Sequence, residues 1–117
     1  MLGESRGLVI IDEAYAEFGE RSYLEDARRH GRLLVVRTLS KAFGLAGLRI
    51  GYAIGAPQLV AEVEKSRGPY KVNAIAEQTA IAALTRDRGW VRERIAEAIE
   101  IRQRFTTAVR ELGLVPL

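Results

Sequence analysis

Cysteine is absent from the 117 residues of this chain, which excludes disulfides and thiolate metal sites. Histidine, tryptophan and methionine each occur once, and no cluster of metal-ligating residues is visible. Long apolar runs are missing too: residues 1–7 contain Glu4 and Arg6 and hold nothing long enough for a signal peptide or a membrane span. An excess of one charge is nearly lacking, because 18 Lys and Arg stand against 15 Asp and Glu, for a formal charge of +3. The sequence pI of about 9.6 would suit a nucleic-acid partner. Yet Arg92, Glu93, Arg94, Glu97, Glu100, Arg102, Arg104, Arg110 and Glu111 alternate in sign, as on a solvated helix surface, and basic and aromatic residues are not interleaved. The expectation is a cytoplasmic protein with no metal, no membrane and no nucleic acid among its partners.

What is present is a hydrophobic share of 48% with 28% charged residues, the balance of a soluble globular domain able to bury a real but modest core. Leu8–Ile11 is an unbroken apolar run, which predicts a strand buried on both faces. Leu33–Val36, continuing to Leu39, predicts a second strand, separated from the first by a short helix around Tyr23–His30. That gap is long enough for a crossover, so the two strands should be parallel neighbours. The Gly-punctuated stretch Ser40–Arg49 is too short for a crossover helix, so a third strand at Ile50–Ile54 should lie antiparallel to the second. Pro57 fits a first helical position, and Gly68 and Pro69 stop that helix. Asn73 is a plausible N-cap for Ala74–Leu84. A last helix is expected over Trp90–Leu112, with Val91, Ile95, Ala98, Phe105, Val109 and Leu112 on one face and Gly113 as its stop. Apolar Leu114–Leu117 reads as the beginning of a further strand, and the chain as a piece of something larger.

Asp12 and Lys41 fall at or just past the carboxyl ends of the two parallel strands, where open α/β sheets place ligands. An acid and an amine are therefore expected to face one crevice. A deprotonated lysine there can condense with an aldehyde, and a carboxylate opposite can hold a protonated ring nitrogen. His30 lies in the run Arg28–Arg32, where a helix C-terminus favours positive charge, which is a structural reading. Gly44, Gly47 and Gly51 do not spell the dinucleotide fingerprint.

The stretches Ile11-Asp12-Glu13-Ala14-Tyr15-Ala16-Glu17-Phe18 and Arg37-Thr38-Leu39-Ser40-Lys41-Ala42-Phe43-Gly44-Leu45-Ala46-Gly47-Leu48-Arg49-Ile50-Gly51-Tyr52 resemble the cofactor motifs of class I and II aminotransferases. Within that group they are most similar to histidinol-phosphate aminotransferases, as is Gly68-Pro69-Tyr70-Lys71-Val72-Asn73, although Lys71 stands where asparagine is usual. The resemblance implies an α/β fold: part of the large cofactor-binding domain of a fold type I aminotransferase, a three-layer α/β/α unit with a mostly parallel sheet and one antiparallel strand. Residues 1–89 would belong to that domain, and residues 90–117 to the interdomain helix and the start of a smaller domain.

The resemblance further implies pyridoxal 5'-phosphate as cofactor. Lys41 would be its Schiff-base lysine and proton shuttle, Asp12 the partner of the pyridinium nitrogen, and Tyr15 the donor to the phenolic oxygen. Thr38, Ser40 and Arg49 would bind the phosphate, with Gly44 and Gly47 letting the backbone pass close by. For Glu13, Tyr52 and Tyr70 a packing or capping role serves as well. The implied partners are a small-molecule amino donor and a 2-oxo acid, in a homodimeric parent enzyme. The family's upstream phosphate-gripping turn, ring-stacking aromatic and downstream carboxylate-binding arginine have no counterpart here. Other amino-acid aminotransferases, a threonine-phosphate decarboxylase-like enzyme and a non-catalytic assembly module remain alternatives.

Overall fold

The computed structural model describes residues 7–116. The stretch before Gly7, which carries the reading against a targeting segment, lies outside the described residues, as does Leu117. Three strands, β1 (Val9–Asp12), β2 (Leu33–Thr38) and β3 (Gly51–Gly55), form one sheet in the order β1-β2-β3. β1 and β2 pair in parallel, with Asp12 opposite Val36, and β2 and β3 pair antiparallel, with Thr38 opposite Gly51. Both orientations match the reading from connection length.

Helix α1 (Leu24–Arg29) supplies the crossover between the parallel strands. Its Ala27 packs with Leu33 and Val35 to make the core, and Val9, Ile11, Tyr23, Leu24 and Ile54 close around them. Because side chains alternate along a strand, all of these sheet residues lie on one face. Helix α2 (Pro57–Lys65) starts with Pro57 in its first turn. A Cβ added to Gly55 would fall 3.0 Å from Leu34 Cδ1 and 3.5 Å from Leu59 Cδ2, so α2 approaches the opposite face. Helices on both sides of the sheet give the three expected layers.

Two glycines act by different means. A Cβ on Gly51 would sit 2.5 Å from the Arg37 carbonyl oxygen, so the β2–β3 ladder closes at this rung only without a side chain. Gly51→Ala should lower stability by about 1–3 kcal/mol in chemical denaturation, as overpacking against backbone does. Gly113, at φ +77°, ends helix α4 (Arg88–Glu111). The Gly113 N–H donates to Arg110 O and the Leu114 N–H to Val109 O, the paired bonds of a Schellman stop.

Asn73 caps helix α3 (Ala74–Thr85) as expected: its side-chain oxygen accepts from the Ala76 N–H at 2.9 Å. Asn73→Ala should lower the denaturation midpoint by an amount equivalent to about 1 kcal/mol.

Three expectations change. β1 is not buried on both faces, since Ile10 is 58% exposed; it is an edge strand, and no described segment covers that face. The apolar stripe of α4 is buried only near its start. Val91 is buried, whereas Phe105 is 68% and Leu112 77% exposed, because α4 packs on its neighbours, α3, the turn after β1 and the Lys41 loop, through its first half. Residues 114–116 form no strand. The alternating charges of α4 are exposed as expected, with Arg94 and Glu97 paired at 2.6 Å.

Candidate active site

The parallel pair ends in two short polar excursions. After Asp12 the chain turns through the 3-10 segment Ala16–Phe18, and after Thr38 it loops through Ser40 and Lys41 to a second 3-10 turn, Ala46–Leu48. The register places Asp12 and Thr38 on one face of the sheet together with Gly51, the face that β1 leaves open. Local hydrogen bonds shape both tips. The Ala14 N–H donates to Asp12 Oδ1 at 2.9 Å, and the Ser40 N–H donates to Thr38 Oγ1 at 3.1 Å. Each side-chain oxygen keeps lone pairs free for a second donor.

Lys41 is exposed, and its Nζ lies 5.2 Å from the centroid of the Tyr15 ring. That contact joins the loop after β2 to the turn after β1. Tyr15 is itself 62% exposed, so its hydroxyl is available to a ligand. Asp12 and Tyr15 line a cavity of about 380 Å³, bounded also by Ala14, Arg21 and Tyr23. Lys41 opens onto a different cavity of about 270 Å³ with Phe18, Trp90 and Arg94. The acid and the amine thus face two adjoining hollows instead of the single crevice expected, with Tyr15 in one and Phe18 in the other, their ring centroids 6.4 Å apart. The reason is α4, whose first turns pack beside the Lys41 loop and supply Trp90, Arg94 and Ile95.

Arg49 takes a left-handed backbone conformation, φ 51°, uncommon for a residue with a Cβ. Its guanidinium turns back to donate to Ala46 O at 3.1 Å and remains exposed. Such strain is concentrated at ligand sites.

Beneath this face lies a network to which the sequence reading assigned no function. Glu13 is 7% exposed, and its carboxylate accepts from the Tyr23 N–H at 2.6 Å, the Ser22 hydroxyl at 3.0 Å, Arg37 Nε at 3.0 Å and Arg37 Nη2 at 2.8 Å. Arg37 also reaches Glu17 Oε1 at 3.5 Å. Burial pushes the Glu13 carboxyl up, but the Tyr23 N–H, Arg37 and Ser22 outweigh it and hold the group below its ordinary value. For Arg37 burial pulls the guanidinium down, and Glu13 with the Tyr52 phenol more than restores it. A packing or capping role is the expectation for Glu13 and Tyr52, and the bond from the N–H of Tyr23, the N-cap of α1, to Glu13 agrees with it. Arg37 in an otherwise apolar strand was the available signal.

An acid, hydroxyls and a lysine at the tips of adjacent strands stand where open α/β sheets place their ligands. The chain belongs to the aminotransferase class I and II family, whose model matches residues 2–117. It is 36% identical over 113 residues to histidinol-phosphate aminotransferase of Geotalea daltonii, covering 97% of this chain and 32% of that protein. To the enzyme of the same name from Methylibium petroleiphilum it is 43% identical over 110 residues, covering 94% of this chain and 29% of that protein. The crystal structure of histidinol-phosphate aminotransferase from Sinorhizobium meliloti in complex with pyridoxal-5'-phosphate superposes with a TM-score of 0.85 at 34% identity, covering 94% of this chain and 30% of that one. The chain thus spans about a third of the length of the relatives it matches.

Proposed function

We propose that this chain carries the cofactor-holding part of a pyridoxal phosphate-dependent aminotransferase, with histidinol phosphate and 2-oxoglutarate as the exchange pair of the whole enzyme. The observation that carries the cofactor reading is the meeting of the Lys41 amine with the Tyr15 ring at the mouth of two parallel strands, with Asp12 and Thr38 on the same sheet face. The names of the relatives support histidinol phosphate as the substrate.

The donor set suits the group: a carboxylate for a ring nitrogen, a phenol for a ring oxygen, hydroxyls and a guanidinium for a phosphate, and an accessible amine. Asp12 would hold the pyridine nitrogen in its protonated form. Tyr15 would donate to the phenolic oxygen. Thr38, Ser40 and Arg49 would bind the phosphate, Arg49 by giving up its bond to Ala46. Lys41 would hold the cofactor covalently and, once released as a free amine, move the proton at the substrate α-carbon. The cofactor, when bound, supplies an electron sink for the pair left at that carbon. A homodimeric parent in the cytoplasm belongs to the same proposal; no helix among the described residues is long and apolar enough to cross a membrane.

Titrating the chain with pyridoxal phosphate should produce a saturable visible absorption band. Pyridoxal without the phosphate should need about tenfold or more higher concentration, since charged hydrogen bonds to a phosphate contribute roughly 1.5–3 kcal/mol each. Equal affinity for the two would remove Thr38, Ser40 and Arg49 from the site.

A further inference from the structure

Each of two proposed cofactor residues has a sequence neighbour that points to the other side of the sheet. Asp12 precedes Glu13 and Thr38 follows Arg37, so alternation sends Asp12 and Thr38 to the open face and Glu13 and Arg37 to the α1 face. The last ladder bond runs from the Glu13 N–H to Val36 O at 2.9 Å, which sets Glu13 beside Arg37 where the strands are about to part. There the guanidinium grips Glu13 Oε2 through Nε and Nη2, and on β3 Tyr52 stands opposite Arg37. Glu13 Oε1 meanwhile holds the Tyr23 N–H at the start of α1.

We propose that the Glu13–Arg37 pair is a positioning clamp: by locking the two strand tips together on the α1 side, it sets the direction of Asp12 and Thr38 on the open side. Packing does little of this at Asp12, because Ile10 beside it is 58% exposed and Asp12 itself is exposed, while at Thr38 the face is half-covered. The bonds that Asp12 and Thr38 make, to the N–H groups of Ala14 and Ser40, reach only two residues along the chain and move with the backbone. Direction must therefore come from the backbone, and the clamp holds it. Arg37 and Glu13 are positioning residues, and their consequence for the cofactor rests on the function proposed above.

The test uses the whole chain by NMR without cofactor, comparing the wild type with Glu13→Gln. Hydrogen exchange at the Ala14 and Ser40 amides should rise about tenfold, and the χ1 couplings of Asp12 and Thr38 should average, while the Ala80 and Ala83 amides of α3 keep their exchange rates. Unchanged exchange and rotamers at the two tips would overturn the clamp, and so would a uniform rise at every amide, which is the mark of a merely structural role. Should Glu13→Gln not fold, Arg37→Lys, which keeps the charge and loses the fork, is read in the same way. With pyridoxal phosphate added, Glu13→Gln should weaken binding about tenfold, and Asp12→Asn placed on top of it should weaken binding little further, because the two act through one contact. Additive losses would overturn the clamp. A wild-type chain that binds no pyridoxal phosphate would sink the proposed function and leave the exchange data to judge the clamp.

Discussion

Lys41→Ala is expected to abolish the visible band that pyridoxal phosphate induces in the wild-type chain, not merely to reduce it. The band requires a carbon–nitrogen double bond between cofactor and protein, and Lys41 is the amine placed at the strand tips to form one. The fold should not respond. Lys41 is exposed, and its contact is an ammonium 5.2 Å from the Tyr15 ring, worth about 0.5–1 kcal/mol at such a site. A circular-dichroism melt beside the absorption titration separates the two effects. A mutant that keeps the wild-type spectrum would remove Lys41 from the proposed role.

Arg37→Ala should have the largest effect on stability, a loss of roughly 3–5 kcal/mol, because it strands a buried carboxylate. The Arg37 and Glu13 side chains are only 15% and 6% exposed, and Glu17 at 14% would lose its cation as well. Total stabilities of domains this size are roughly 5–15 kcal/mol, so a large part of the margin is at stake. Urea denaturation at neutral pH measures it. A loss under about 1 kcal/mol would place this pair with surface ion pairs.

Acid should separate the two proteins further. The Glu13 carboxyl is held below its ordinary value of 4.5 in the folded chain, so the unfolded chain binds the proton more readily. Its stabilisation is fully present above that ordinary value and is lost as pH falls through the lower folded value. Wild-type stability should therefore decline in acid below about pH 4.5. In Arg37→Ala the guanidinium no longer pulls the group down, while burial still pushes it up and the Tyr23 N–H and Ser22 hydroxyl still hold it down, so the acid-side decline should flatten. Parallel pH profiles for the two proteins would contradict the assignment.

Much of the architecture was legible because local rules and long-range packing agree. The β-branched run at Val9–Ile11, the crossover length before Leu33, the short Gly-rich link before β3, Pro57 at a helix start and Asn73 at another each specify one outcome. Burial was harder to read. Ile10, Phe105 and Leu112 are apolar, yet they are exposed, because periodicity says which side chains share a face and not whether anything covers it. Tyr15, Lys41, Asp12 and Thr38 could be named from the order of residues along the chain. Their division between two hollows could not, because it depends on how α4 packs beside the Lys41 loop.

Residue order alone determined that the chain is α/β, that it belongs with the aminotransferases, and which amine, acid and hydroxyls stand at the strand tips, since those follow from short motifs and connection lengths. Tertiary structure decided that Glu13 and Arg37 are partners. They are twenty-four positions apart, and only the parallel register of β1 and β2 brings them side by side, on the face that α1 shields from water.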